Sequence, residues 1–448
     1  LSRINHIISG TVPIILASLL FLLGFAIQNL SEFMIVAMII VGAYVWFNRQ
    51  KLSKSMIMIG IFFIISGGIW IIFRPLAFWI LALGLLIIFH LLIWLHIKSS
   101  FIWAKWLKIG CSVVLTVLFI GMQLIMIKPG IIVPLFQQKS GYINSYHALS
   151  LPHSKLSKEI KAQFNISYGK KYPRSYLDVF TKKDQSEAPT VIYLHGGGWV
   201  AGDKSAGDPN QSGNKKNYQI EHFEKTVKAG YNVVSLNYAL APAYPYPTQL
   251  KQISQAVKFL QSHAKQLNIN MDKVIISGSS AGGNLAADFV TLQVNPKHPQ
   301  AKRIKPVLSR KVLKAMVLEV PATDMTQVNH TYRPVHTNDY FFGISVMSYT
   351  NQPMVSYDKT YLAKISPINY VTKDMPPTFI TDGNTGSFMK ANQRYAELLK
   401  KAGVPVELYI PTLKEGTAGH GFLADLQSQM TQKYLKDKWE FLEKYVYK

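Results

Sequence analysis

Three short stretches of this sequence carry residues able to break an acyl bond. Gly278-Ser279-Ser280-Ala281-Gly282 follows the β-branched run KVIIS and precedes the small-residue stretch NLAA. Glycines two residues to either side of a serine permit a bend too sharp for larger side chains. Such a bend lifts the Ser280 hydroxyl above a sheet and aims a helix N-terminus at it. The spacing alone also describes a glycine-rich turn capped by serine; its position between a strand and a helix favours a nucleophile. His195-Gly196-Gly197-Gly198-Trp199 closes the run VIYLH. Consecutive glycines let main-chain N–H groups face a ligand, so Gly197, Gly198 and Ala281 are the expected oxyanion donors. Trp199 is placed to wall a pocket, and His195 reads as a structural hydrogen-bonder. Gly419-His420-Gly421-Phe422 lies on a loop after VELYI. A histidine there can swing over the sheet edge and accept the serine proton, which makes His420 the expected base.

The elements that must hold these stretches are legible from periodicity. QFNISY and SYLDVF, separated by GKKYPR, predict an antiparallel hairpin. Six further β-branched runs follow, at VIYLH, YNVVSLNY, KVIISG, KAMVLEV, PTFIT and VELYI. Between most of them lie stretches with helical spacing, such as QLKQISQAVKFLQSHAKQL and KANQRYAELLKKAG. Strands alternating with helices predict a mostly parallel sheet flanked by helices, with its chemistry at the carboxyl ends of the strands. No CxxC cluster, HExxH or GxxxxGK[ST] occurs, so metal and nucleotide-phosphate sites have no support in the sequence. Asp203–Tyr218 and Thr326–Ile365 are candidate lid and pocket segments, the second carrying Tyr340, Phe341, Phe342, Tyr349 and Tyr357.

Charge divides the 448-residue chain into two parts. The first 128 residues hold nine Lys or Arg and one acid, Glu32. The remaining 39 basic and 23 acidic residues leave a net +16. Five uncharged apolar stretches, at about 7–28, 33–47, 56–73, 75–97 and 109–127, predict an all-α transmembrane domain over residues 1–128. Arg3, Arg49, Lys51, Lys54, Lys98, Lys105 and Lys108 all fall on one side if the N-terminus is cytoplasmic. That bias and an odd number of crossings put the later domain outside the cell. The single cysteine, Cys111, cannot make an intrachain disulfide, which suits a bacterial surface. Residues 129–161 read as a linker or cap, and 162–448 as the catalytic domain. The lysines of that domain are dispersed, so membrane lipids and anionic envelope polymers, rather than nucleic acid, are the expected neighbours.

From roughly Gln163 to Lys448 the chain resembles the α/β-hydrolase fold, in the branch of hormone-sensitive-lipase-like and bacterial feruloyl-esterase-like enzymes. The resemblance rests on "YLDVF", "VIYLHGGGWVAGDK", "NYALAPAYPYPTQLKQISQAVKFL", "GSSAGGNLAA", "PATDMT", "SPINYVTKDMPPTFI", "YAELLKKAGVPVELYI" and "HGF". It implies Ser280 as nucleophile, His420 as base, the HGGG amides as oxyanion donors, and no metal or organic cofactor. It also implies Gly-x-x-Asp after the seventh strand, the Asp orienting the histidine. Here Gly383-Asn384-Thr385 is followed by Gly386. Asp382 and Glu415 are the candidate substitutes, Asp382 the first choice, and a Ser–His dyad is the other option; Asp324 reads as structural. The expected function is a membrane-anchored serine hydrolase cleaving carboxylic esters, with a small molecule, a lipid or an acylated envelope polymer as substrate. Acyl transfer to an envelope acceptor, or a non-catalytic binding protein that has lost its acid, are the alternatives.

Overall fold

A computed structural model describes residues 30–50, 52, 54–73, 84, 129–145, 156–182, 187–205, 218–352 and 358–447. The chain divides into two compact units, with the first break between Ile131 and Ile132.

In the second unit all eight expected strands form one sheet. In chain order they are β1 (Ile160–Ser167), β2 (Tyr176–Lys182), β3 (Pro189–Leu194), β4 (Asn232–Leu236), β5 (Asn270–Ser279), β6 (Leu313–Glu319), β7 (Thr378–Thr381) and β8 (Val406–Tyr409). Their spatial order is β1-β2-β4-β3-β5-β6-β7-β8. The β1–β2 and β2–β4 pairs are antiparallel, and all others are parallel. Every residue of β3 and β4 is buried, as continuous β-branched runs demand when helices cover both faces. In the outermost strand β1 only Ile160 is buried, and the rest are half-buried or exposed.

The helices supply the two outer layers. Helix α5 (Thr248–Leu267) buries Leu250, Ile253, Val257 and Leu260, a stripe at i, i+3, i+7 and i+10. It stops at Asn268, whose left-handed backbone (φ 56°) lets its N–H cap the last turn. On one face Tyr434, Leu435, Phe441 and Leu442 of α10 (Gln429–Leu442) pack on Val191, Ile275, Val317 and Phe379. The sheet registers set Leu194 beside Gly278, Ser279 beside Glu319, and Thr381 beside Tyr409. The chain therefore leaves β3, β5 and β8 on one side of the sheet, where the three motifs begin, and leaves β7 there too, just before Asp382.

Two expectations about the N-terminal part change. Residues 33–47 and 56–73 fall within α1 (Leu30–Asn48) and α2 (Lys54–Phe73), which pack together through Ala37, Val41 and Phe63. At about 1.5 Å per residue their apolar stretches rise roughly 22 and 27 Å, short of about 30 Å of hydrocarbon. Among the described residues no helix is long and apolar enough to cross a membrane, so these two expected crossings are not borne out. The stretches at 7–28, 75–97 and 109–127 lie outside the described residues. Residues 129–161 are more than a linker. They hold a 3-10 turn (Pro129–Ile131), helix α3 (Ile132–Ser140) and the start of β1. The buried Gln137 of α3 donates to Val200 O at 2.7 Å and Ala241 O at 2.8 Å.

Candidate active site

Ser280 sits between β5 and α6 (Ala281–Val294) with φ 55° and ψ −117°, a conformation that costs energy for any residue with a Cβ. Its N–H donates to Glu319 O at 2.8 Å, and its own carbonyl accepts from Asn284. The bend survives because the chain passes so close to itself. A Cβ on Gly282 would overlap Leu194 O and His195 O, so only glycine lets α6 start against the end of β3. That contact brings the HGGG loop beside the nucleophile, with Gly196 packed on Ser279 O and Ser280 Cβ.

Gly197 and Gly198 take φ 108° and 60°, in the left-handed region. Among the described residues, their N–H groups and that of Ala281 donate to no acceptor, and Ala281 adds the open end of a helix. Three N–H groups thus remain for an oxyanion. His195 is no base. It is buried, stacks on Tyr238 at 4.1 Å, and its Nδ1 lies 2.7 Å from Gly196 O. Burial lowers its pKa to about 4.

His420 comes to the site from the loop after β8. Its Nε2 lies 2.8 Å from Ser280 Oγ, nucleophile to base. The ring packs against the edges of Phe342 and Phe388, with centroids at 4.8 and 5.0 Å. Burial lowers its pKa to about 4, so the imidazole is neutral near pH 7.

On the other side of the ring the sequence expectation needs correction. The partner of Nδ1 is Ser387 Oγ, at 2.8 Å, and not a carboxylate. Ser387 Oγ in turn makes a very short hydrogen bond with Asp382 Oδ1. Asp382, fully buried, also accepts from Gly383 N–H at 2.7 Å and from Asn392 Nδ2 at 2.7 Å. Burial pushes its pKa up to about 7 against these donors. Asp382 therefore belongs to the site one hydroxyl removed from the ring. Gly386 occupies the position where a direct acid would stand, with φ 59°. Glu415 is exposed and turned to Thr412, whose N–H and hydroxyl it accepts at 2.7 and 2.8 Å. Asp324 caps the 3-10 turn Met325–Gln327 through Thr326 N–H.

The surrounding segments also differ from expectation. Asp203, Lys204 and Ser205 are buried rather than part of a lid, while 206–217 lie outside the described residues. Lys204 Nζ pairs with Asp178 Oδ2 at 3.0 Å. Arg174, which sequence reasoning passed over, donates to Gly202 O at 2.7 Å and pairs with Asp203, tying down the loop behind the oxyanion donors. In the second segment Tyr349 of α7 (His336–Thr350) stacks on Trp199 at 4.5 Å as packed core, Phe342 touches the base, and Phe341 is exposed. Tyr357 lies outside the described residues.

Comparison with known proteins agrees with this geometry. A family model described as BD-FAE matches residues 177–401, half of the chain. Esterase LipI of Mycobacterium tuberculosis is 28% identical over 262 residues, covering 57% of this chain and 73% of LipI. Carboxylesterase NlhH of the same organism is 27% identical over 248 residues, covering 52% of this chain and 66% of NlhH, just under two thirds. Among solved structures, esterase B of Lactobacillus rhamnosis superposes with a TM-score of 0.51 at 19% identity. That match covers 65% of this chain and 89% of the esterase, a likeness of fold. The family to which these matches point is one of carboxylic ester hydrolases.

Proposed function

The chain belongs to the BD-FAE family, and on that premise we propose that it cleaves carboxylic esters through an acyl-enzyme on Ser280. His420 Nε2 takes the serine proton as Oγ attacks the acyl carbon. The N–H groups of Gly197, Gly198 and Ala281 stabilise the oxyanion. His420 then returns the proton to the leaving alcohol oxygen, and water, deprotonated by the same ring, frees the acid. The single observation that carries this reading is the 2.8 Å contact between Ser280 Oγ and His420 Nε2. The continuation of that chain of hydrogen bonds through Ser387 to Asp382 supports catalysis over the reading of an inactive binding protein.

Hydrolysis of a fluorogenic acetate tests it. Ser280→Ala should lower kcat by about 10⁴-fold or more, and equal rates in the two proteins would sink the assignment.

For location, the reading is a protein held at a lipid surface by its first unit, with the hydrolase unit outside the cell. The outward apolar side chains of α1 and α2, including Ile39, Phe47, Met58 and Phe62, support this. So does Arg49 over the Trp46 ring at 4.5 Å, a pairing suited to a headgroup boundary. Under it the substrate is an ester met at that surface: a lipid or an acylated envelope polymer. Flotation with anionic vesicles, lost when residues 1–128 are removed, is the expected result; equal flotation of both chains would count against it.

A further inference from the structure

Ser387 has one hydroxyl proton and two neighbours that can receive it. When Asp382 is ionised its oxygens can only accept, so the hydroxyl donates to Oδ1. The Ser387 oxygen is then left to accept the N–H of His420 Nδ1. That arrangement fixes the tautomer with a bare Nε2 facing Ser280 Oγ, ready to take a proton. When Asp382 is protonated, every link reverses. The carboxyl donates to Ser387, Ser387 donates to Nδ1, and the ring proton moves to Nε2, where it blocks acceptance from Ser280.

We propose that Ser387 is a positioning residue coupling the buried Asp382 carboxylate to His420, and that the direction of its hydroxyl decides whether the ring can act as a base. The proposal rests on the esterase reading for its kinetic consequences, but not for the relay itself. Ser387 is fully buried, and its main chain is held by a bridge to Tyr332, so its hydroxyl has little choice of partner. The balance is one proton, which the carboxyl gains from or loses to solvent; the Ser387 hydroxyl turns between its two partners, and the ring releases one proton from Nδ1 as it takes one at Nε2.

The groups around the relay are few. Asp382 is faced by Ser387, by Asn392 of α9 (Met389–Lys401), and by the N–H groups of Gly383 and Phe388. His420 is faced by Ser280, Ser387, Phe342 and Phe388. It shares a cavity of about 70 Å³ with Glu319, His222, Tyr193 and Tyr218. Glu319 accepts the Tyr434 hydroxyl there; His222 lies 3.4 Å from it and 3.1 Å from Lys438 Nζ. Burial, with Lys438 next, holds His222 well below its usual pKa, so it is neutral near pH 7. Glu319 is thus the other carboxyl whose titration could reach the ring, and it serves as a control.

The experiment follows kcat/KM on an aryl acetate against pH, with folding of each variant verified by its melting curve. Because burial sets Asp382 near pH 7 and His420 near pH 4, the wild-type profile should rise around pH 7. Ser387→Ala should lower the plateau by about 10- to 100-fold, the worth of one charge-assisted hydrogen bond, and move the rising limb toward pH 4. Ser387→Thr, which keeps the hydroxyl, should restore both. Asp382→Asn should abolish the limb near pH 7, and Glu319→Gln should leave it in place. A Ser387→Ala protein with the wild-type plateau and limb would overturn the proposal, as would a limb that moves only with Glu319→Gln. Should no ester turn over, the esterase reading fails separately. Nitrogen-15 spectra of His420 then read the tautomer directly: a change near pH 7 that Asp382→Asn abolishes supports the relay, and its absence in wild type refutes it.

Discussion

The turn after β5 and the loop after β7 both serve the same imidazole, yet they are built on opposite principles. At the β5 turn, main chain meets main chain: Gly282 lies where any side chain would strike two carbonyls, and Ser280 is held in a strained conformation. At the β7 loop, side chains do the holding: Asp382, Ser387 and Asn392 form a buried polar cluster on which the base leans. The first region tolerates almost no change in residue type, because its geometry is steric. The second can exchange parts, because the Nδ1–H of the ring can donate to a carboxylate or to a hydroxyl backed by one. This difference explains how an acid can be missing from one position while the ring remains oriented.

Substitutions can break or sharpen that contrast. The largest effect is expected for Gly282→Ala, whose methyl would be driven into Leu194 O and His195 O. It should cost about 3 kcal/mol or more, seen as a lower midpoint in denaturant melts together with loss of esterase activity. A midpoint equal to wild type would show that the turn is less rigid than its contacts imply. The middle effect concerns the acid. Asp382 has its folded pKa raised from 3.8 to about 7, so the folded state holds a proton that the unfolded chain has lost. Stability contributed by this group is therefore full below pH 3.8 and falls as pH rises toward 7. Asp382→Asn should remove that fall, so that the stability difference between the two proteins changes by roughly 4 kcal/mol across this window; parallel curves would mean the carboxyl is ionised throughout. The smallest effect is expected for Gly386→Asp. The left-handed φ of 59° is one that Asp tolerates at about 1–2 kcal/mol, and with the relay in place kcat/KM should change by no more than about threefold. A rise of tenfold would show that the hydroxyl relay is a poor substitute for a direct carboxylate.

Sequence alone reveals the steric region far better than the polar one. Every predicted strand is present, Ser280 meets His420, and the glycine loop after β3 packs against the Ser280 turn, since close main-chain approach leaves glycines at fixed offsets. Ser387 leaves no such mark. A serine at the mouth of a helix is common, and only the fold sets it between Asp382 and a histidine 33 residues later. Arg174 and Lys204 escaped for a similar reason: a buried cation is recognised by its burial, not by its neighbours in sequence. The stretch 129–161 read as a linker because its prolines and polar residues hide one short helix whose anchor is a single glutamine.

That glutamine has a practical consequence. By holding the carbonyls of Val200 and Ala241 together, Gln137 staples the segment after the glycine triplet to the one after β4. A shortened protein that starts at the apparent edge of the sheet, near residue 160, would fold around an intact core yet lose this brace. Its poor turnover could then be mistaken for proof that the missing N-terminal residues take part in chemistry. Starting the chain before Ile132 avoids the confusion.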